Sequence, residues 1–481
     1  MQNKSVVKNY LYNFSYQILL LIVPLITTPI LSRVLGPNPI GSYGYTQSIC
    51  TYFILFGTIG INMYGQREVA YVQNDKTKRS KIFFEIIILR ALTVSFSLVF
   101  YVLLFCNSAL YSTLFIIQAI DIIASACDIS WFYQGMENFK KTVIRNFVVK
   151  IIGVFVILCF IKGPNDLPLY VFCNSLILLF GNLSLWLSLR KEVSKVPFNE
   201  LQIKKHLKPT LILFLPQIAT QIYTVLDKTM IGQLSTITQV GLYEQSQKIV
   251  KIGLSVVTAL GTVMLPRMAS VFASGDKKMM RQHLEDSFQF VTFLSIPIMF
   301  GLIGISNFFV PWFLGHKFVG AINIIIVTSP IIYFIAISNV IGMQYLLPTR
   351  RQGEFTLSVI VGSLVNFVIN FILIAKYKAV GAAIGSVCAE LTVTLIQCYA
   401  IREDYGLKRI LSISAKRLIA GLIMALIVFK VSTVLDKNFV NLFLIISIGA
   451  FIYVAILLLF KDCWIYEKVI YKIKRSNRLK K

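Results

Sequence analysis

Runs of apolar residues long enough to cross a bilayer recur along almost the whole chain, and they confine it to a bundle of membrane-spanning helices. A spanning helix takes about 20 mostly apolar residues. Inside hydrocarbon every backbone N–H and C=O must find its partner within the protein, so only helices and closed barrels cross. Runs of that length lie near 10–33, 40–65, 82–106, 111–134, 144–161, 167–189, 209–233, 238–264, 286–306, 321–347, 355–375, 380–401, 414–434 and 439–460. Turn signals such as Gly36-Pro37-Asn38-Pro39, Lys162-Gly163-Pro164-Asn165 and Ser274-Gly275-Asp276 separate several of them. The expected fold class is therefore an all-α integral membrane protein of about 14 transmembrane helices. The 307–320 segment is the weakest stretch and is a candidate for a short re-entrant turn. With 56% hydrophobic and 14% charged residues among 481, the chain leaves no room for a sizeable soluble domain.

The net charge of +26 would suit nucleic acid if it lay on one surface. It is instead divided between alternate connections. Of the 47 Lys and Arg residues, 35 fall on one side, in clusters at 4–8, 67–81, 140–145, 190–208, 267–281, 350–351, 402–417 and from 461 onward. The opposite side holds seven: Arg33, Lys162, Lys317, Lys376, Lys378, Lys430 and Lys437. Short loops rich in Lys and Arg stay cytoplasmic. Both termini are thus expected in the cytoplasm, in a multi-pass membrane protein, and nucleic acid is not an expected partner. No small-residue cleavage site follows the first apolar run, so that run reads as a retained span.

A faint repeat runs at a spacing of 200 residues. Ile40-Gly41-Ser42-Tyr43 matches Val240-Gly241-Leu242-Tyr243, and Glu85 matches Glu285. Six spans separate the copies, which restores the same membrane orientation, as parallel repeats require. The expected organisation is two pseudo-symmetric six-helix bundles around a central cavity, 1–195 and 209–402, joined by a cytoplasmic linker at 196–208. Two extra helices and a basic cytoplasmic tail occupy 403–481. The eight cysteines include no CxxC pair and read as small core residues.

An ionisable group at the bilayer centre costs about 2.5–3.5 kcal/mol on the insertion scale, so each one inside a span is a functional candidate. Ten qualify: Arg90, Asp121, Asp128, Lys150, Asp227, Lys228, Glu244, Lys248, Lys251 and Glu390. Lys150 lies near a helix end, where its stem can snorkel to the headgroups. Helical spacing gathers the others into polar stripes. One runs through Gln217, Thr220, Gln221, Thr224, Asp227 and Lys228, and a second through Glu244, Gln247, Lys248, Lys251, Ser255, Thr258 and Thr262. Gln118, Asp121, Ser125 and Asp128 form a third, and Ser386, Glu390, Thr394 and Gln397 a fourth. Such faces belong in a bundle interior or on a water-filled cavity, since lipid does not tolerate them. Pro24, Pro29, Pro216, Pro297 and Pro330 are candidate kinks.

No GxxxxGK[ST] loop is present, so no nucleotide-driven motor is expected. His206, His283 and His316 are not at metal-ligand spacing and read as solvated loop or interfacial residues, and neither a cofactor nor a metal site is expected.

Several stretches resemble Wzx-type polysaccharide flippases of the multidrug/oligosaccharidyl-lipid/polysaccharide exporter superfamily. They are "SRVLGPNPIGSYGYTQS" from Ser32, "GQREVA" from Gly65, "DISWFYQGMENFK" from Asp128, "LDKTMIGQLSTITQVGLYEQSQKIV" from Leu226, "LPRMA" from Leu265 and "GAAIGSVCAE" from Gly381. The resemblance implies a transporter and not an enzyme, with fourteen helices in two lobes around a cavity. It also implies alternating-access movement of undecaprenyl-diphosphate-linked oligosaccharide repeat units to the outer leaflet, for capsule or O-antigen type polysaccharide. A polysaccharide polymerase and export machinery are further implied partners beside the lipid bilayer itself. The matching positions put Arg33, Asp128, Asp227 and Lys228 in or beside the cavity.

The residues agree in kind. A diphosphate carrying a glycan needs a hydrated, cation-lined path. Arg33, Arg90, Lys228, Lys248 and Lys251 are candidate phosphate partners, with Gln221, Thr224 and Gln247 on the same faces. Asp121, Asp128, Asp227, Glu244 and Glu390 can pair with those bases or bind a coupling proton or sodium ion. Asp128 and Glu390 are expected as the acids that Lys228 neutralises if it serves only in a charge pair. Two alternatives remain: a cation-coupled multidrug exporter of the same superfamily, which the cavity lysines disfavour, and a polyprenyl-sugar polymerase, for which no large outward loop is available.

Overall fold

The computed structural model describes residues 2–107, 110–462 and 464–466, and among these every regular element is helical. The side chains of Gln217, Thr220 and Thr262 in the polar stripes, Pro216, Lys4, Lys8, Cys463 and the basic tail from Lys468 lie outside the described residues. The chain gathers into two units, Met1–Glu244 and Gln245–Lys481.

The first unit opens with α1 (Gln2–Leu35) and α2 (Pro37–Thr58), divided at Gly36. Pro37 starts α2, where its missing N–H costs nothing. The expected 40–65 span breaks at Ile59 and Gly60, both at positive φ, and restarts as α3 (Ile61–Tyr71). Gly60 is required there twice over, by its φ of 73° and because a Cβ would meet the Thr210 carbonyl at 2.8 Å. Next come α4 (Lys76–Tyr101), α5 (Ser112–Cys127) and the short α6 (Ser130–Gly135). The expected 111–134 span divides at Asp128-Ile129, where the Asp128 carboxylate accepts the first N–H of α6, that of Ser130, at 2.9 Å. Helices α7 (Phe139–Phe160), α8 (Leu167–Leu187), α9 (Leu207–Leu234) and the first turns of α10 (Ile237–Ala273) complete the unit. Its core is aromatic: Phe83 stacks on Trp131 and meets Phe132 edge to face, and all three are fully buried.

The 196–208 stretch is two short 3-10 turns, and His206 within it is buried. His206 Nδ1 shares a hydrogen with the Tyr64 hydroxyl at 2.7 Å, and its Nε2 lies 2.7 Å from Glu85. The fully buried Glu85 also takes the Gln202 N–H at 2.8 Å and pairs with Lys205 at 2.9 Å. The expectation of a solvated His206 is therefore corrected. A buried carboxylate must be partnered, and it draws the histidine in. Glu285, 200 positions later, likewise holds the segment after the sixth helix of its repeat, through Tyr405 and Arg409 (2.6 Å to the latter).

The second unit holds the rest of α10, then α11 (Lys277–Phe313), α12 (Ala321–Thr328), α13 (Ile331–Ile341), α14 (Gln352–Ala400), α15 (Leu407–Val434) and α16 (Phe439–Leu459). Helix α11 runs through Pro297 and Pro311 to Phe313, and Gly315 then turns the chain into one 3-10 turn. The 307–320 segment is thus the end of a span and a tight turn. The 321–347 span divides at Ser329-Pro330. Helix α14 is two spans, because Lys378 has φ 54° and ψ −133°. Buried Arg417 ties α15 to α11 and to the segment after α16 by reaching Thr292 at 2.6 Å and Asp462 at 3.1 Å. Among the described residues, ten helices are long and apolar enough to cross a membrane. Helix α14 makes up two passes by its break at Lys378, and α1, α9 and α10 are a further 34, 28 and 37 residues long.

Candidate functional site

The two copies of the repeated motif meet within the first unit. Gly41 and Gly241 lie in the first turns of α2 and α10, and a Cβ on Gly41 would overlap the Ile237 carbonyl while one on Gly241 would overlap the Pro37 carbonyl. Each glycine thus receives the carbonyl four residues before its counterpart. Small residues let helix backbones approach this closely.

Directly below this crossing, α9 and α10 form a hairpin that carries two consecutive pairs. Asp227 and Lys228 are adjacent on α9, so they point about 100° apart. Tyr243 and Glu244 on α10 answer them. The Tyr243 hydroxyl donates to the buried Asp227 carboxylate, and Lys228 Nζ lies 2.6 Å from Glu244 Oε2. The Lys228 and Glu244 side chains stay 23% and 16% exposed, so this pair is reachable while the Asp227 pair is closed in. Gly44 on α2 brings backbone beside it, since its Cβ position is 3.8 Å from Glu244 Oε2. Of the acids expected as possible partners of the bases, Glu244 is the one that Lys228 meets. Asp128 accepts the Ser130 N–H at 2.9 Å and lies 3.8 Å from Arg145.

Polar groups from α2, α5 and α8 extend the cluster. Thr229 meets Ser48 at 2.8 Å and Tyr52 at 3.1 Å, and Gln233 donates to the Tyr45 hydroxyl. Gln118 donates to Gln47 at 3.1 Å, and Gln47 and Ser175 face the buried Asp121. The Tyr43 and Tyr170 rings meet edge to face at 5.7 Å. Tyr43, Tyr45, Gln47 and Tyr243 were not singled out from sequence as site residues, although Tyr43 and Tyr243 end the two repeat motifs. That repeat was the available signal.

Arg90 is fully buried and spends its guanidinium on the Ser125 carbonyl at 2.7 Å and Asn62 at 2.8 Å, joining α4 to α5 and α3. Arg33 is exposed in the last turn of α1, and Gln221 and Thr224 are exposed on α9, where Thr224 bonds the Gln221 carbonyl at 2.9 Å. Lys150 is exposed on α7. In the second unit, Gln247 and Lys248 are half-buried and Lys251 exposed on α10. Glu390, half-buried in the second part of α14, receives the Thr394 hydroxyl on its backbone carbonyl at 2.7 Å. Arg33, Lys248, Lys251 and Glu390 all have interactions with neighbouring groups. No cluster of three or more His, Cys, Asp or Glu suited to a metal occurs among the described residues.

Comparison with known proteins gives two family models. "Polysaccharide biosynthesis protein" matches residues 6–272, and "Lipid II flippase MurJ" matches residues 171–449. A "Putative O-antigen transporter" of Escherichia coli strain K12 is 22% identical, over 80% of this chain and 93% of its own length. Among solved structures, "Lipid II flippase MurJ, inward closed conformation" superposes with a TM-score of 0.74 at 19% identity, covering 95% of this chain and 100% of that one. An inward-facing multidrug resistance MATE family transporter gives 0.62 at 11% identity, covering 83% and 96%. At these identities both structures speak to the fold alone.

Proposed function

The chain belongs to the polysaccharide biosynthesis protein family, and on that premise we propose that it moves undecaprenyl-diphosphate-linked oligosaccharide repeat units from the cytoplasmic to the outer leaflet of a bacterial cytoplasmic membrane by alternating access. It is a membrane transporter, a lipid-linked oligosaccharide flippase of the Wzx type, and not an enzyme. The multidrug alternative has weaker support, since the likeness to the MATE transporter is one of fold.

The observation that carries the mechanism is the accessible Lys228–Glu244 pair at 2.6 Å in the α9–α10 hairpin. A charge inside a span persists only with a partner or water. An ammonium held by a reachable carboxylate can exchange that carboxylate for a diphosphate, which carries more charge and more acceptor oxygens. Lys228 then holds the diphosphate during the crossing, Gln221 and Thr224 on the same helix contact the headgroup, and the prenyl tail stays in lipid. Glu244, released from Lys228, becomes a base able to take up a coupling proton, with sodium as the other candidate ion. The 35-to-7 division of basic residues supports cytoplasmic termini. It follows that the α2–α10 glycine crossing closes the outer end. Delivery to the outer leaflet would feed a polysaccharide polymerase and export machinery for surface polymers of capsule or O-antigen type.

Depleting the protein from cells and extracting their lipids tests this. A lipid-linked oligosaccharide should accumulate and remain sealed from externally added glycan-modifying enzymes. Accumulation of an undecorated amphipathic drug, with no change in lipid-linked sugar, would support the multidrug alternative.

A further inference from the structure

Helices α7 and α8 form an antiparallel pair that carries a groove of about 740 Å³. One end is bounded by Lys141 and Ser188, the other by Val156 and Cys173. Fifteen residues of helix separate the ends on each wall, about 22 Å at 1.5 Å per residue. Between them the walls are apolar: Ile144, Val148, Ile152 and Phe180 line the groove and are exposed to the surroundings.

The polar end is cationic. Lys141 pairs with Glu192 at 3.1 Å and sits 4.5 Å over the Tyr133 ring. Arg145, one turn deeper, bonds Asn182 and lies 3.8 Å from Asp128, while its Nε is buried with no hydrogen-bond partner among the described residues. A buried guanidinium N–H left over at the head of an apolar slot is costly unless an anion completes it. Basic pockets between spans on the cytoplasmic side are suited to lipid phosphate groups.

We infer that the α7–α8 groove is a docking track for a polyprenyl phosphate lipid, with its phosphate at Lys141 and Arg145 and its hydrocarbon between α7 and α8. The inference rests on the flippase function and on the orientation proposed above, which puts Lys141 at the cytoplasmic face. Charge complementarity selects an anionic lipid. Length selects the polyprenyl class: a 30 Å hydrocarbon core gives each leaflet roughly 15 Å, so a phospholipid chain ends near the midplane, well short of a groove of about 22 Å. The groove gathers substrate from the inner leaflet before it reaches the Lys228 hairpin.

Native mass spectrometry of the purified full chain, incubated with undecaprenyl monophosphate or with phosphatidylglycerol, tests the assignment. The wild type should retain undecaprenyl monophosphate in preference to phosphatidylglycerol. Val148→Trp, a lipid-facing substitution that fills the groove, should lower that retention about tenfold. Lys141→Gln should lower it several-fold and Lys141→Arg should retain most of it. Leu364→Trp, at an equally lipid-facing site on α14, should change nothing. Unchanged retention in Val148→Trp overturns the assignment, as does phosphatidylglycerol held equally well and lost with the same substitution. Leaflet exchange measured on the same samples separates the two claims. Wild-type protein that retains the lipid in the groove without translocating oligosaccharide contradicts the flippase function and leaves the groove assignment standing. Translocation with no groove retention does the reverse.

Discussion

Replacing Lys228 by Gln tests whether the lysine does more than neutralise Glu244. The pair is short, at 2.6 Å, and only 23% and 16% exposed. An exposed pair contributes about 0–1 kcal/mol, whereas removing one member of a fully buried pair costs about 3–5 kcal/mol because the other is left uncompensated. At this burial a loss of about 1.5–3 kcal/mol in stability is expected, the range for a charge-assisted hydrogen bond. Adding Glu244→Gln removes the negative charge that Lys228 balanced, so the double mutant should regain most of that stability. Its transport should not return, because the diphosphate still lacks its cation. Losing that contact should weaken substrate binding roughly tenfold to a hundredfold. The assays are thermal unfolding in detergent and the leaflet distribution of lipid-linked oligosaccharide in cells carrying each variant. Wild-type transport in the Lys228→Gln, Glu244→Gln double mutant would refute the exchange mechanism and leave the pair with a structural role only.

Other consequences follow from single contacts. Gly241→Val should place methyl groups against the Pro37 carbonyl, cost about 1–3 kcal/mol by overpacking, and abolish transport in protein that still inserts; active, equally stable protein would mean that the crossing can open freely. His206→Ala should lower the melting temperature through loss of about 1–3 kcal/mol, because Glu85 loses one of its partners, and Glu85→Gln in that background should restore part of it. In a cysteine-free background, single cysteines at Lys76 and Ser274 should resist a membrane-impermeant thiol reagent in whole cells while one at Asn165 reacts; labelling at Lys76 would reverse the topology.

Hydropathy made the crossings legible because backbone in lipid has so few alternatives. The breaks inside spans were not legible: Ile59 and Lys378 adopt positive φ with side chains that give no sign of it, and such positions are held by packing around them. Asp227, Lys228 and Glu244 were found by their charge, yet their partners were not. Adjacent residues on a helix face different neighbours, so Asp227 turned to a tyrosine and Lys228 to an acid sixteen positions on. Arg90 carries the same intramembrane signal and is satisfied by an amide and a backbone carbonyl; charge in a span marks a costly group without telling whether a substrate or the bundle itself satisfies it. His206 sits among Lys204, Lys205 and Lys208 and reads as solvated, but Glu85, distant in sequence, fixes its burial. The α7–α8 groove has no local motif, since its two walls become a slot only when they pair.

Translocation of a lipid-linked oligosaccharide can be followed in a reconstituted system. Purified protein would be placed in liposomes whose fluorescently labelled undecaprenyl-diphosphate oligosaccharide starts in both leaflets, and a membrane-impermeant enzyme that modifies the glycan would be added outside. With active protein nearly all of the lipid should become modified as the inner pool is moved outward, and with Lys228→Gln the modified fraction should stop near that of protein-free liposomes. A modified fraction that is the same with wild-type protein as in protein-free liposomes would contradict the account.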